Sequence, residues 1–159
     1  MTFEKETFLV KIGSGVCQVL GEEEERGIRF LKLRVIFPTI YTEFVPINRA
    51  DELLRSLESR ETADKAIKIL RGSRPNKNGA TRGSQPSIKR QGENIARILA
   101  KNDLIALATL ACDLYKGNKS VHFADQRKKI IEQVSYELSL ILEKRYGDMK
   151  AEVIGFLTE

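Results

Sequence analysis

KAIKILRGSRPNKNGATRGSQPSIKRQG, residues 65–92, divides the chain and decides how the rest of it is read. The stretch holds eight Lys or Arg and no Asp or Glu. Residues 1–64 carry nine basic and twelve acidic side chains, and residues 93–159 carry ten of each. The net charge of +5 over 159 residues therefore originates in this one segment. Gly72, Pro75, Gly79, Gly83 and Pro86 leave no continuous helical face through its middle. A Gly/Pro/Ser-rich run between two apolar-patterned regions reads as a junction between domains. A junction carrying all the excess positive charge suits a polyanion, and nucleic acid is the commonest one.

Toward the N-terminus the pattern is that of a small sheet. Phe8-Leu9-Val10-Lys11-Ile12 and Val16-Cys17-Gln18-Val19-Leu20 read as strands joined by a tight turn at Gly13-Ser14-Gly15, where glycine permits positive φ. Gly21 to Gly27 encloses Glu22, Glu23, Glu24 and Glu25 and reads as a charged loop, either a solvated hairpin tip or an acidic contact. Ile28, Phe30, Leu31, Leu33 and Val35 fit a half-buried strand whose opposite face carries Arg29, Lys32 and Arg34. Pro38 interrupts the sheet, and a further strand runs from Ile40 to Val45 and into Pro46. Strands this short and this close in sequence imply a strongly bent sheet or open barrel. Its exposed edge either accepts a partner's strand or is covered by the rest of the chain. From Asp51 the period becomes helical: Leu53, Leu54 and Leu57 make one stripe. Ser59 is placed to cap a second helix carrying Ala63, Ala66, Ile67 and Leu70 and ending at Gly72.

Toward the C-terminus the chain reads as helix throughout. Pro86-Ser87 opens a helix at Ile88, which Gly92 weakens by roughly 1 kcal/mol relative to alanine. Ile95, Ile98 and Leu99 form its stripe, and the turn Lys101-Asn102-Asp103 follows. Leu104, Leu107, Ala108, Ala111 and Leu114 form a second stripe, ended by Gly117-Asn118. Ile130, Ile131, Val134, Leu138, Ile141 and Leu142 mark a long third helix ended by Gly147, and Asp148 is placed to cap a last helix with Val153, Ile154 and Leu157. Short loops make these helices antiparallel neighbours in a bundle. The expected architecture is α+β: a β-rich module with trailing helices over residues 1–71, a basic linker over 72–87 and an all-α bundle over 88–159. Two basic clusters, Lys89-Arg90 and Arg127-Lys128-Lys129, stand at expected helix starts, against the helix dipole. There they are either solvated faces or, together with free backbone N–H groups, a place for phosphate.

Several function classes are disfavoured. Cys17 and Cys112 lie 95 residues apart, and with His122 the only histidine they lack zinc spacing, so they read as reduced, buried thiols. No paired carboxylates, nucleophile with its base, phosphate-cradling loop or metal cluster is legible, so the expectation is a non-enzyme without catalytic residues, metal or cofactor. Apolar runs such as residues 104–110 are too short to span a bilayer, and MTFEKETFLV does not read as a signal peptide. The expected location is the cytoplasm.

The order of parts resembles a known family. A glycine turn at Gly13-Ser14-Gly15-Val16 is followed by Val45-Pro46, by Leu54-Arg55, and by a polar linker leading to a basic helix start. Ile98-Leu99-Ala100-Lys101-Asn102-Asp103, residues 106–114 with Tyr115, and residues 123–142 complete the series. In order and spacing these pieces resemble the CarD/CdnL family of bacterial transcription regulators across nearly the whole chain. The resemblance implies a Tudor-like N-terminal module, shared with transcription–repair coupling factor, that binds the β subunit of RNA polymerase. It also implies a C-terminal bundle that touches promoter DNA at the upstream edge of the melted region. Such a protein stabilises the open complex without reading an operator sequence, as a cytoplasmic, nucleoid-associated monomer. Carried onto this chain, the DNA contacts fall on Arg82, Ile88, Lys89, Arg90, Arg127 and Lys128. Ile88 stands where the family has a tryptophan wedge. The polymerase contacts fall on Arg29, Lys32, Arg34, Glu43 and Phe44, although the family's arginines are replaced by glutamates around residues 22–25. A protein-only adapter, whose β module docks a partner without DNA, is the alternative.

Overall fold

Residues that alternate apolar and polar place successive side chains on opposite faces of a strand, and this pattern builds the first half of the chain. A computed structural model describes residues 3–12, 15–72, 88–101, 103–117 and 123–158. In it β1 (Phe8–Lys11), β2 (Gly15–Glu25), β3 (Ile28–Phe37), β4 (Tyr41–Pro46) and β5 (Leu54–Ser56) form one antiparallel sheet in the order β4-β3-β2-β1-β5. Leu9, Cys17, Val19, Leu31, Leu33, Val35 and Val45 cover its inner face and are buried together with Ala50 and Leu54. The fold is α+β, as expected, with the sheet first and the helical part after it.

The glutamate stretch expected as a loop is strand. β2 runs through Glu25, and Arg26-Gly27 alone makes the turn, both left-handed with φ of 53° and 79°. A two-residue loop of this kind matches the right-handed twist of the flanking strands. The glutamates stay in the ladder because β3 answers them: Arg29 pairs with Glu22, and Lys32 Nζ lies 3.5 Å from Glu23 Oε1. Val19 pairs with Leu33 while Gly21 pairs with Lys32, so Leu20 forms a bulge that shifts the following residues to the other face.

The helix expected over Leu53, Leu54 and Leu57 is cut short. α1 (Ala50–Leu53) is a single turn, and Leu54, Arg55 and Ser56 pair with Lys11, Val10 and Leu9 of β1. Strand β1 would otherwise present a row of unpaired backbone groups, and satisfying them outweighs the local apolar stripe.

The chain divides into two compact units, Met1–Leu57 and Glu58–Glu159. The boundary expected after residue 71 therefore falls after Leu57. The reason lies in α2 (Arg60–Gly72), whose Ala63, Ala66 and Leu70 are buried in the helical core rather than against the sheet. Ser59 caps α2 as expected: its Oγ accepts from Thr62 N–H at 3.1 Å. Glu58 N–H donates to the buried Glu137 carboxylate at 3.3 Å, which places a negative charge at the start of α2. Both flanks of the basic stretch belong to the second unit, so it joins two helices of one body instead of separating two domains. Residues 73–87, including Arg82 and the expected cap Ser87, lie outside the described residues, as do Asn102 and His122.

The second unit continues with α3 (Ile88–Lys101), α4 (Leu104–Cys112), α5 (Ala124–Ile141) and α6 (Tyr146–Thr158), and a π-helical turn over Asp113–Gly117 extends α4. Asp103 caps α4, its carboxylate accepting from Ile105 N–H at 2.9 Å. The third expected helix does not run to Gly147. It stops at Ile141, where Glu143 adopts a left-handed φ of 55° and Lys144 N–H returns to Ser139 C=O at 2.9 Å. This is a Schellman closure with glutamate in the place glycine usually takes. Gly147 lies inside the first turn of α6, one residue before Asp148. No helix among the described residues is long and apolar enough to cross a membrane.

Candidate functional site

In the first unit the surface of interest is the β3–β4 pair. β4 bonds to β3 on one side and is the end strand of the sheet. Lys32 stands directly across from Phe44, and Arg34 across from Thr42. Lys32 Nζ lies 5.9 Å from the Phe44 ring centroid, within reach of a cation–π interaction. Phe44 is 48% exposed on the outer face of the end strand. Arg34 is exposed and has no carboxylate partner among the described residues. Lys32, Arg34 and Phe44 thus share one face.

Arg29 and Glu43 are not on that face. Counting two residues at a time from the buried Leu31 and Leu33 puts Arg29 on the inner side, beyond the core, where it pairs with Glu22. Glu43 pairs across the ladder with Leu33, so it also points inward, and there it meets Lys11 of β1. The set expected to bind polymerase therefore splits into three outward residues, of which Lys32 is paired with Glu23, and two inward residues held by Glu22 and Lys11. Ile28, which the sequence assigned to the buried face, is exposed in phase with Lys32 and Arg34. Ile40 and Tyr41, leading into β4, are exposed as well. The two-residue period counted back from Lys32 finds Ile28; nothing in the local pattern finds Ile40.

Cys17 lies on the inner face and is fully buried, its thiol 3.6 Å from Leu9 C=O. Burial pushes the thiol up from 9.0 to about 12; Lys11 pulls it down and Glu43 pushes it up, each by less. The native thiol therefore keeps a proton that the unfolded chain releases above pH 9, so stability falls as pH rises from 9.0 toward about 12. At pH 10 the loss from this group is about 1 kcal/mol. Urea unfolding at pH 8 and pH 10, compared between wild type and Cys17→Ala, measures it. Equal pH slopes in the two proteins would rule it out.

In the second unit the surface of interest is the start of α3. Ile88, Lys89 and Arg90 form its first turn and are all exposed, Ile88 at 52%. Of its apolar stripe only Ile95 is fully buried, with Ile98 and Leu99 packed more loosely on the core. The helix is thus anchored by its second half, and its basic first turn faces solvent. On α5, Lys128 and Lys129 are exposed and Arg127 is half-buried.

Gly92 is the point at which α3 comes near the start of α5. A Cβ there would lie 3.9 Å from Phe123 Cε1, so α3 passes directly against the residue that precedes α5. Phe123 is buried, and Arg127 follows it by about one helical turn. α3 and the start of α5, more than twenty residues apart in sequence, therefore come near each other at Gly92 and Phe123. Ile88, Lys89 and Arg90 share the first turn of α3, Arg127 and Lys128 lie near the start of α5, and Arg82 lies outside the described residues. Glycine in a helix costs local stability. An added Cβ would meet the Phe123 ring only at ordinary van der Waals distance, so packing does not demand glycine here. No protein-family model matches this chain, and no curated protein matches it.

Proposed function

We propose that this chain is a transcription regulator of the kind its sequence resembles, the CarD/CdnL family. On this reading its first unit binds the β subunit of RNA polymerase through β4 and the Lys32–Arg34–Phe44 face. Its second unit holds promoter DNA at the upstream edge of the melted region. The observation that supports the proposal is the exposed first turn of α3, where Lys89 and Arg90 follow the exposed Ile88. Lys89, Arg90, Arg127 and Lys128 meet phosphates and set the position of the bundle, with no base reading required. Ile88 serves as an apolar wedge against the minor groove beside the bubble, a use that isoleucine has in other minor-groove proteins. Holding the fork slows bubble collapse, so the effect is kinetic and needs no cofactor or catalytic residue. Binding to free duplex is weak and falls steeply with salt, since the affinity comes from a few released counterions.

Open-complex lifetime on a labelled promoter tests this. Wild type should extend the lifetime several-fold over polymerase alone, and Ile88→Ala/Arg90→Ala should return it to that baseline. Arg90→Ala alone should weaken DNA binding equally for all sequences and make the salt slope shallower by about one. An unchanged lifetime with either protein, while polymerase is still bound, would refute the DNA half. The second reading, a protein-only adapter, would then stand, supported by the exposed Phe44 on the end strand of the sheet.

A further inference from the structure

Lys11 and Glu43 belong to strands that are not neighbours: β2 and β3 lie between β1 and β4. In a flat sheet three interstrand spacings amount to roughly 14 Å, yet the two side chains form an ion pair across the inner face. The sheet must curl to bring them together, and the pair ties the curl shut. Both side chains are largely covered, with 14% and 29% exposure, so solvent screens this pair less than an ordinary surface pair. Its surroundings are apolar, with the buried Cys17 close enough to feel both charges.

Glu43 immediately precedes Phe44, and adjacent strand residues point to opposite faces. Anchoring Glu43 inward therefore aims Phe44 outward. It also gives β4, whose ladder partner is β3 and whose Val45 is buried in the core, a further attachment to the unit.

We propose that the Lys11–Glu43 pair is a clasp that fixes the end strand β4 in its docking geometry, making both positioning residues for the partner contact. This rests on the reading above that β4 and Phe44 dock a partner. Neither residue touches the partner; they act through the strand. The clasp also accounts for the inward-facing glutamate at a position where the resemblance led to the expectation of a polymerase contact.

Two measurements on the full chain separate the clasp from the docking reading. The first is amide hydrogen exchange of the free protein. In Lys11→Met, which keeps the apolar stem and removes the charge, the β4 amides bonded to β3 should exchange at least tenfold faster. Amides shared by β2 and β3 should keep their protection. The second is affinity for bacterial RNA polymerase core enzyme, measured where circular dichroism shows the variant fully folded. Lys11→Met should bind about tenfold more weakly, mainly through faster dissociation, and the reversed pair Lys11→Glu/Glu43→Lys should recover both properties. Unchanged β4 exchange in Lys11→Met overturns the clasp. Faster exchange with unchanged affinity overturns the positioning role. Phe44→Ala that binds polymerase as tightly as wild type overturns the docking reading alone, since the exchange result stands without it.

Discussion

Replacing Gly15 with valine is expected to remove about 4 kcal/mol of stability, combining backbone strain with overpacking. Gly15 opens β2 with φ of +126°, a conformation that residues with a Cβ rarely adopt. A Cβ at that position would lie 2.0 Å from Phe37 C=O and 2.9 Å from Pro38 Cδ. These atoms cannot step aside cheaply, because Phe37 sits in the ladder opposite Val16. Gly21 provides the comparison. Its φ is +152°, but the nearest atom to an added Cβ is the flexible Lys5 Cε at 3.6 Å. Gly21→Ala should therefore cost about 1 kcal/mol, the strain alone. Urea denaturation of the three proteins gives the difference directly. A cost for Gly15→Val no larger than that of Gly21→Ala would disprove the close approach of β2 to Phe37.

The second large effect is expected at Leu107. Leu107→Ala should destabilise the protein by about 3 kcal/mol, within the range for emptying a buried leucine site. The cost follows from the place of α4, whose Leu104, Leu107, Ala108, Leu110, Ala111 and Cys112 are all buried. Its neighbours α2 and α5 contribute Leu70, Val134 and Leu138 to the same core, and α6, packed on α2 and α5, adds Val153. Leu107 is fully buried in a close-packed core, so much of the cavity should persist. Ile154, on the exposed side of α6, sets the scale. Ile154→Ala should change stability by less than about 0.5 kcal/mol. Comparable losses for the two substitutions in thermal unfolding would mean that α4 is not central to the core.

Both effects depend on features that were unevenly legible. The helical stripe through Leu104, Leu107, Ala108 and Ala111 identifies the core face of α4 without a structure, because the 3.6-residue period is local. The tight approach at Gly15 shows only as a glycine in a turn, since the atom it must avoid belongs to Phe37. The phase of β3 was blurred by the adjacent apolar pair Phe30-Leu31, which let Arg29 be grouped with Lys32 and Arg34. Leu53-Leu54-Leu57 mimicked a helix because the strand that claims Leu54 lies more than forty residues earlier. Gly147 was a plausible helix stop, but Glu143 takes the left-handed position itself.

By itself, then, the sequence determined the α+β order, most strands and helical stripes, the cap at Ser59, and the concentration of positive charge in one segment. Each of these follows from side chains within a few residues of one another. Only the tertiary structure decided the pairing of β5 with β1, the division of the chain after Leu57, the inward turn of Glu43 to Lys11, and the meeting of α3 with the start of α5. Each of those is a contact between residues far apart in the chain. Its free energy comes from burying apolar surface or satisfying backbone and charge across the fold, and no local pattern records which distant partner will supply it.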